Sequence, residues 1–223
     1  MRILRHFLLT LCVMAHGACG AGKPPRAIDV RREPMSRGGA ELSVLFIGNS
    51  YSHGVPNAFA KLAARRGKAV HVGQETHNGW TLARHAANDG TLAKIRSRRW
   101  DIVVLQEQSL VPAQPLRRVA TMFPSVEKLA AAARAQGAVP VLYQTWGRRD
   151  DFRAMNRRVR EGCRLAAEKA GGLAIVPVGD AWERECAAGR GALLFAPDGS
   201  HPTRRGNEVS AEVFYTEFFG HGH

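Results

Sequence analysis

Short apolar runs alternate with helix-patterned stretches along most of this chain, and that alternation limits its fold more than any other feature. Ser43-Val-Leu-Phe-Ile-Gly48, Ala69-Val-His-Val-Gly73, Trp100-Asp-Ile-Val-Val-Leu-Gln106, Ala138-Val-Pro-Val-Leu-Tyr-Gln-Thr-Trp146 and Leu173-Ala-Ile-Val-Pro-Val178 read as five strands. Between them, helical spacing runs from Val55 to Arg66, with Pro56 tolerated in the first turn. It recurs from Thr81 to Arg98 (broken at Asn88-Asp89-Gly90), from Leu116 to Gln136, from Asp151 to Ala170 and from Thr203 to Phe219. Gly137 and Gly171-Gly172 supply C-terminal stops. Near-continuous apolar strands separated by helices are covered on both faces, which requires a parallel sheet between two helical layers. The predicted fold is α/β: a three-layer α/β/α sandwich around a five-stranded parallel sheet. No internal repeat is present.

The 223 residues divide into three regions. Residues 1–21 read as an export signal: a basic start (Met1 to His6), a short apolar run (Phe7 to Ala15) and small residues Gly17-Ala18-Cys19-Gly20-Ala21 where cleavage fits. That run is shorter than the ~20 residues a permanent membrane span needs. Cys19 is also a candidate lipid anchor, although His16 stands where lipoprotein signals carry an aliphatic residue. Residues 22–41 are polar and broken by Pro and Gly, as in a linker, and residues 42–220 form the predicted domain. The expected location is therefore periplasmic or secreted. After cleavage Cys163 and Cys186 remain, either as a disulfide or as two separate thiols.

Lys and Arg total 32 against 19 acidic residues, a formal charge of +13. The basic residues occur as scattered pairs (Arg65-Arg66, Arg98-Arg99, Arg148-Arg149, Arg157-Arg158, Arg204-Arg205). No aromatic-interleaved motif or zinc-finger spacing accompanies them, so the pattern reads as a solvated basic surface and not as a nucleic-acid site. No cluster with metal-ligand spacing is present, and neither a metal nor another cofactor is expected.

In open parallel sheets, ligands bind beyond the carboxyl ends of the strands. Gly48-Asn49-Ser50-Tyr51-Ser52 follows the first run, His77-Asn78-Gly79-Trp80 the second, Gln106-Glu107-Gln108-Ser109 the third, and Gln144 to Arg148 the fourth. Asp198-Gly199-Ser200-His201-Pro202 precedes the last helix. This is the inventory that hydrolytic acyl transfer needs. A serine hydroxyl becomes a nucleophile when a neutral His takes its proton, and an Asp fixes the His tautomer. Close N–H donors stabilise the oxyanion. Ser52 is a rival to Ser50, with helix N-capping as its ordinary role. Glu107 reads as a carboxylate paired with a surface Arg.

Two of these motifs together, strand-Gly-Asn-Ser50 and Asp198-x-x-His201-Pro202, resemble those of the SGNH (GDSL-type) hydrolases over about residues 43–219. The resemblance implies a flavodoxin-like fold and serine esterase activity. It makes Ser50 the nucleophile, His201 the base and Asp198 its orienter, with an oxyanion hole formed by Ser50, Gly79 and Gln108. Asn49 stands where the family writes Asp, and Gln108 where it more often has Asn; Gln106 is the alternative donor. The implied substrate is a small-molecule or polysaccharide ester, most simply an acetylated carbohydrate. Tyr51, Trp80 and Trp146 are candidates for a sugar-binding aromatic platform, and Arg148 for an acidic-substrate contact. Two other functions fit the same fold: a non-catalytic module gripping glycan or anionic polymer, and a lipase or thioesterase.

Overall fold

The computed structural model of the protein describes residues 41–220. The export segment 1–21, the linker 22–41 apart from residue 41, Cys12, Cys19 and the last three residues lie outside the described residues. The elements run β1 (Leu42–Gly48), α1 (Val55–Arg65), β2 (Val70–Thr76), α2 (Leu82–Ala86), α3 (Asp89–Arg96) and β3 (Ile102–Leu105). They continue with α4 (Leu110–Ala113), α5 (Phe123–Ala135), β4 (Val139–Tyr143), α6 (Phe152–Lys169), β5 (Ala174–Val176), α7 (Val178–Ala187) and α8 (Arg204–Phe219).

All five strands are parallel, in the order β2-β1-β3-β4-β5. The chain therefore leaves β1 towards the β2 edge and returns to pair β3 on the other side of β1. That reversal between β1 and β3 is the switch point where α/β sheets open a crevice. Register there is tight: Ile47 faces Leu105, and the Gln106 N–H donates to the Ile47 carbonyl at 2.9 Å. The residues after β3 are thus held beside those after β1.

Successive strand residues point to opposite faces, and both faces are buried. Val44, Phe46, Val104, Val141 and Tyr143 pack with Phe59 of α1, Trp182 of α7 and Phe214 of α8. Leu45, Ile47, Val103, Leu105 and Leu142 pack with helices α2, α3, α5 and α6 through Leu82, Ile95, Leu129 and Val159. The sheet also decides the cysteine question. Cys163 lies in the second cluster and Cys186 against the first, so they stand on opposite faces as free thiols and the disulfide does not form.

Three departures from the sequence reading have local causes. The stretch from Leu116 to Gln136 is helical without a gap over residues 115–135, but it is not uniformly α, because Pro124 lacks the N–H that a regular α-helix would use. A π-turn at Arg118–Met122 absorbs the mismatch before α5. β5 stops at Val176, because Pro177 leaves the ladder and becomes the N-cap of α7, a helix the apolar text of residues 173–178 conceals. Ser52 does not cap α1; Gly54 holds that position without a side-chain bond. Glycine is required where layers meet closely: a Cβ on Gly162 of α6 would sit 2.2 Å from the Pro112 carbonyl oxygen of α4.

Candidate active site

β1 ends at Gly48, where a Cβ would lie 2.4 Å from Gln106 Oε1, so only glycine lets the two strand exits approach. Asn49 then folds the chain back. Its Oδ1 accepts from the Tyr51 N–H at 3.1 Å, an Asx turn, and its Nδ2 donates to the Trp80 carbonyl at 2.9 Å. The single 3₁₀ turn Ser50–Ser52 that follows turns Ser50 into a cavity of about 390 Å³ and Ser52 into the core. Ser52 is fully buried, and its hydroxyl donates to Gln106 Oε1 at 3.0 Å, so it has no access to a ligand.

Across the cavity, a short antiparallel bridge between Phe195 and Pro202 closes the loop that carries Asp198 and His201. The Ala196 N–H donates to the His201 carbonyl at 2.8 Å, and Thr203 N-caps α8 directly behind it. Asp198 Oδ1 accepts from the N–H groups of Ser200 and His201, both at 2.9 Å, while Oδ2 meets His201 Nδ1 at 2.5 Å. His201 Nε2 lies 2.9 Å from Ser50 Oγ. With Nδ1–H donating to Asp198, Nε2 is the acceptor for the serine proton. The His201 ring, followed by the two backbone N–H groups, holds the Asp198 carboxyl down to about 2, so it remains ionised.

The Ser50, Gly79 and Gln108 donors face the same cavity. Neither the Ser50 nor the Gly79 N–H has a hydrogen-bond acceptor among the described residues. Gly79 has φ +68°, a backbone conformation that favours glycine, which presents its N–H without a side chain in the way. Gln108 Oε1 accepts from the Leu110 N–H at 2.9 Å, leaving Nε2 as a donor with no partner among the described residues. Gln106 is excluded as an oxyanion donor. It is fully buried, its Oε1 binds Asn49 N–H (2.8 Å) and Ser52, and its Nε2 binds Asn49 Oδ1 (3.1 Å) and the Glu107 carbonyl (2.6 Å).

The aromatic platform does not form. Trp146 is fully buried, sandwiched between Tyr51 (4.8 Å, 2° between planes) and Trp182 (3.8 Å, 3°), and its Nε1 donates to the Ser200 carbonyl. Trp80 stacks on His77 at 4.0 Å with the Arg84 guanidinium over its ring, and does not line the cavity. Tyr51 does line it, with its hydroxyl bonded to Ser200 and its ring edge-to-face with His201 at 5.3 Å. Arg148 lines the cavity and is exposed.

Two buried groups support this rim, His85, which sequence reasoning missed, and Glu107, which it placed on the surface. His85, fully buried and kept neutral by that burial, binds the Gly48 carbonyl at 2.8 Å and Thr91 at 3.0 Å. Glu107 is not a surface partner of an Arg. It is 3% exposed, and its Oε1 accepts from Leu82 N–H (3.0 Å) and Gln108 N–H (2.7 Å). Nothing in local sequence marks either as buried, since each is a polar residue in a segment of mixed pattern.

Burial pushes the Glu107 carboxyl from its ordinary 4.5 up to about 7, against the opposing pull of the Gln108 and Leu82 N–H groups. The native state therefore keeps this proton through a pH range where the unfolded chain has released it, and stability falls as pH rises. Between pH 5 and 7 the unfolding free energy is expected to drop by about 2 kcal/mol more in the wild type than in Glu107→Gln. Denaturant titrations at the two pH values check this; parallel slopes for both proteins would contradict the burial argument.

No protein-family model and no curated protein sequence matches the chain. Solved structures do. A Slackia heliotrinireducens protein described as "a putative SGNH hydrolase" is 29% identical, covering 78% of this chain and 97% of its own, with a TM-score of 0.64. A DUF4886 family protein from Bacteroides uniformis superposes with a TM-score of 0.73 at 18% identity over 81% of this chain and 84% of its own. An acetylxylan esterase from Geobacillus stearothermophilus gives a TM-score of 0.63 at 16% identity over 81% and 95%. At such identities the last two share the fold; the first shares sequence as well.

Proposed function

Because this chain belongs to the SGNH (GDSL-type) hydrolases and is a carboxylic ester hydrolase, we propose that it removes a small acyl group, most simply acetyl, from a carbohydrate outside the cytoplasm. The observation that carries the reading is the Ser50–His201–Asp198 relay, with contacts of 2.9 and 2.5 Å, opening onto a cavity with three unengaged donors.

In this mechanism His201 Nε2 takes the Ser50 proton as Oγ bonds to the ester carbonyl carbon. The carbonyl oxygen becomes an oxyanion, and the Ser50 and Gly79 N–H groups and Gln108 Nε2 donate to it. Each such donor is worth about 3–4 kcal/mol in the transition state. As the C–O bond to the sugar breaks, His201 returns the proton to the leaving alkoxide. A water then gives its proton to His201 and attacks the acyl-Ser50; as the bond from the acyl carbon to Oγ breaks, His201 returns that proton to Ser50 and the carboxylic acid leaves. Asp198 stays ionised throughout and balances the imidazolium.

The lining supports a short acyl group and a hydrophilic alcohol. Asn78, Gln108, Ser109, Arg148 and Ser200 are among the residues that line the cavity with Ser50, and none of the lining residues is aliphatic. Arg148 adds a cation that suits a carboxylate-bearing sugar. Residues 1–21 supply the signal for export, and Cys19 is the candidate anchor if the chain is lipidated.

Fluorophosphonate treatment followed by intact-mass analysis tests the reading. We expect one adduct on the wild type, none on Ser50→Ala and one on Ser52→Ala. A folded wild-type sample that takes no adduct would replace this reading with the glycan-binding module.

A further inference from the structure

The three residues that leave β3 divide one task among them. Gln106 holds the nucleophile turn through Asn49, and Gln108 lines the cavity. Glu107, between them, points away into the protein, where its Oε1 accepts two backbone N–H groups from different loops. One belongs to Leu82, the first residue of α2 and three positions after Gly79; the other belongs to Gln108 itself. One oxygen atom thus ties the loop carrying the Gly79 donor to the loop carrying the Gln108 donor.

We propose that Glu107 is a positioning residue, whose carboxyl oxygen sets the spacing of the Gly79 and Gln108 loops and so the width of the oxyanion hole. The proposal rests on the serine-esterase reading above. Its physical basis is that the carboxyl is expensive where it sits. Its Oε2 is buried, and among the described residues it has no hydrogen-bond partner and no ion pair. Arg118, the buried cation on the neighbouring turn, donates instead to the Pro112 and Arg158 carbonyls. An apolar residue of similar size would remove the desolvation cost of Oε2 but leave the Leu82 and Gln108 N–H groups without their acceptor. What such a residue lacks is an acceptor that reaches both loops. Oxyanion donors act only when they lie 2.7–3.1 Å from the developing charge, so a shift of about 1 Å between loops is enough to impair them.

Reach and ionisability are separable by substitution. Gln retains an oxygen at the same distance and cannot ionise. Asp keeps an ionisable carboxyl and is shorter by about 1.5 Å. Leu fills the volume with no acceptor. With 4-nitrophenyl acetate as the probe, Glu107→Asp and Glu107→Leu are expected to lower kcat by roughly 10- to 100-fold with KM changed less than about twofold. Glu107→Gln is expected to recover kcat to within about threefold of wild type. Glu107→Leu guards against failure of the Asp variant to fold, since it fills the volume of the native side chain; melting curves establish folding for each. The proposal is overturned if folded Asp or Leu variants keep wild-type kcat, if the loss falls on KM, or if Gln loses as much as Leu. Fluorophosphonate labelling of the wild type separates the two levels. A labelled, active wild type with an unaffected Leu variant removes only the positioning role, whereas an unlabelled wild type removes the esterase reading and the proposal with it.

Discussion

Replacing Ser50 with Ala is expected to lower ester hydrolysis by at least ~10⁴-fold while leaving the melting temperature within a degree or two of wild type. The hydroxyl contacts only His201 among the described side chains, at 2.9 Å on the cavity wall, so its removal opens no core void. The remaining donors still bind and polarise an ester carbonyl, but no group is placed to attack it, and residual turnover depends on water. Ser52→Ala provides the contrast. Its hydroxyl is one of several ligands on Gln106, and Asn49 N–H stays on the same oxygen, so the change costs about 1 kcal/mol of stability and little activity. Initial rates on 4-nitrophenyl acetate for the two variants, measured side by side, decide the matter. A Ser50→Ala protein retaining a tenth of wild-type kcat would mean that the hydrolytic group lies elsewhere.

Trp146→Ala is expected to have the largest effect on stability, with activity falling in consequence. The indole is fully buried between the Tyr51 and Trp182 rings, and its N–H holds the Ser200 carbonyl at 3.0 Å. It therefore braces both halves of the site: Tyr51 follows the nucleophile, and Ser200 precedes the base. Truncating a buried Trp to Ala costs ~3–5 kcal/mol, a large part of the 5–15 kcal/mol that holds a typical domain folded. In a domain of this size that corresponds to a fall of roughly 10 °C in melting temperature. Trp146→Phe keeps a ring in the stack and loses the N–H, and should recover more than half of that fall. A melting temperature shifted by less than about 3 °C in Trp146→Ala would show that the stack is not a structural brace.

Most of the architecture was readable because strand and helix leave different periodicities in the chain. The residues that gather at the cavity were readable for a different reason: in a parallel sheet the segments following strands converge on one rim, and Ser50, Gly79, Gln108 and His201 all line it. Reading fails where the same residue type serves two surroundings. Trp146 and Tyr51 both follow strands, yet one lies wholly inside a three-ring stack while the other lines the cavity. Gln106 and Gln108 are chemically identical and two positions apart, with one in the core and the other on the cavity wall. A carboxylate such as Glu107 reads as surface because charge is rarely buried, and only its two N–H donors show otherwise.

The sequence by itself determined the layered parallel sheet and the chemical inventory at its rim, because hydrophobic period and residue chemistry are local properties. The tertiary structure alone decided which of two neighbouring side chains turns inward, whether the cysteines meet, and how far apart the donor loops stand. Those outcomes depend on contacts such as Ser50 with His201, 151 positions apart, and Asn49 with Gln106, 57 apart. No local pattern encodes the distance between such partners; the packing of the intervening strands and helices sets it.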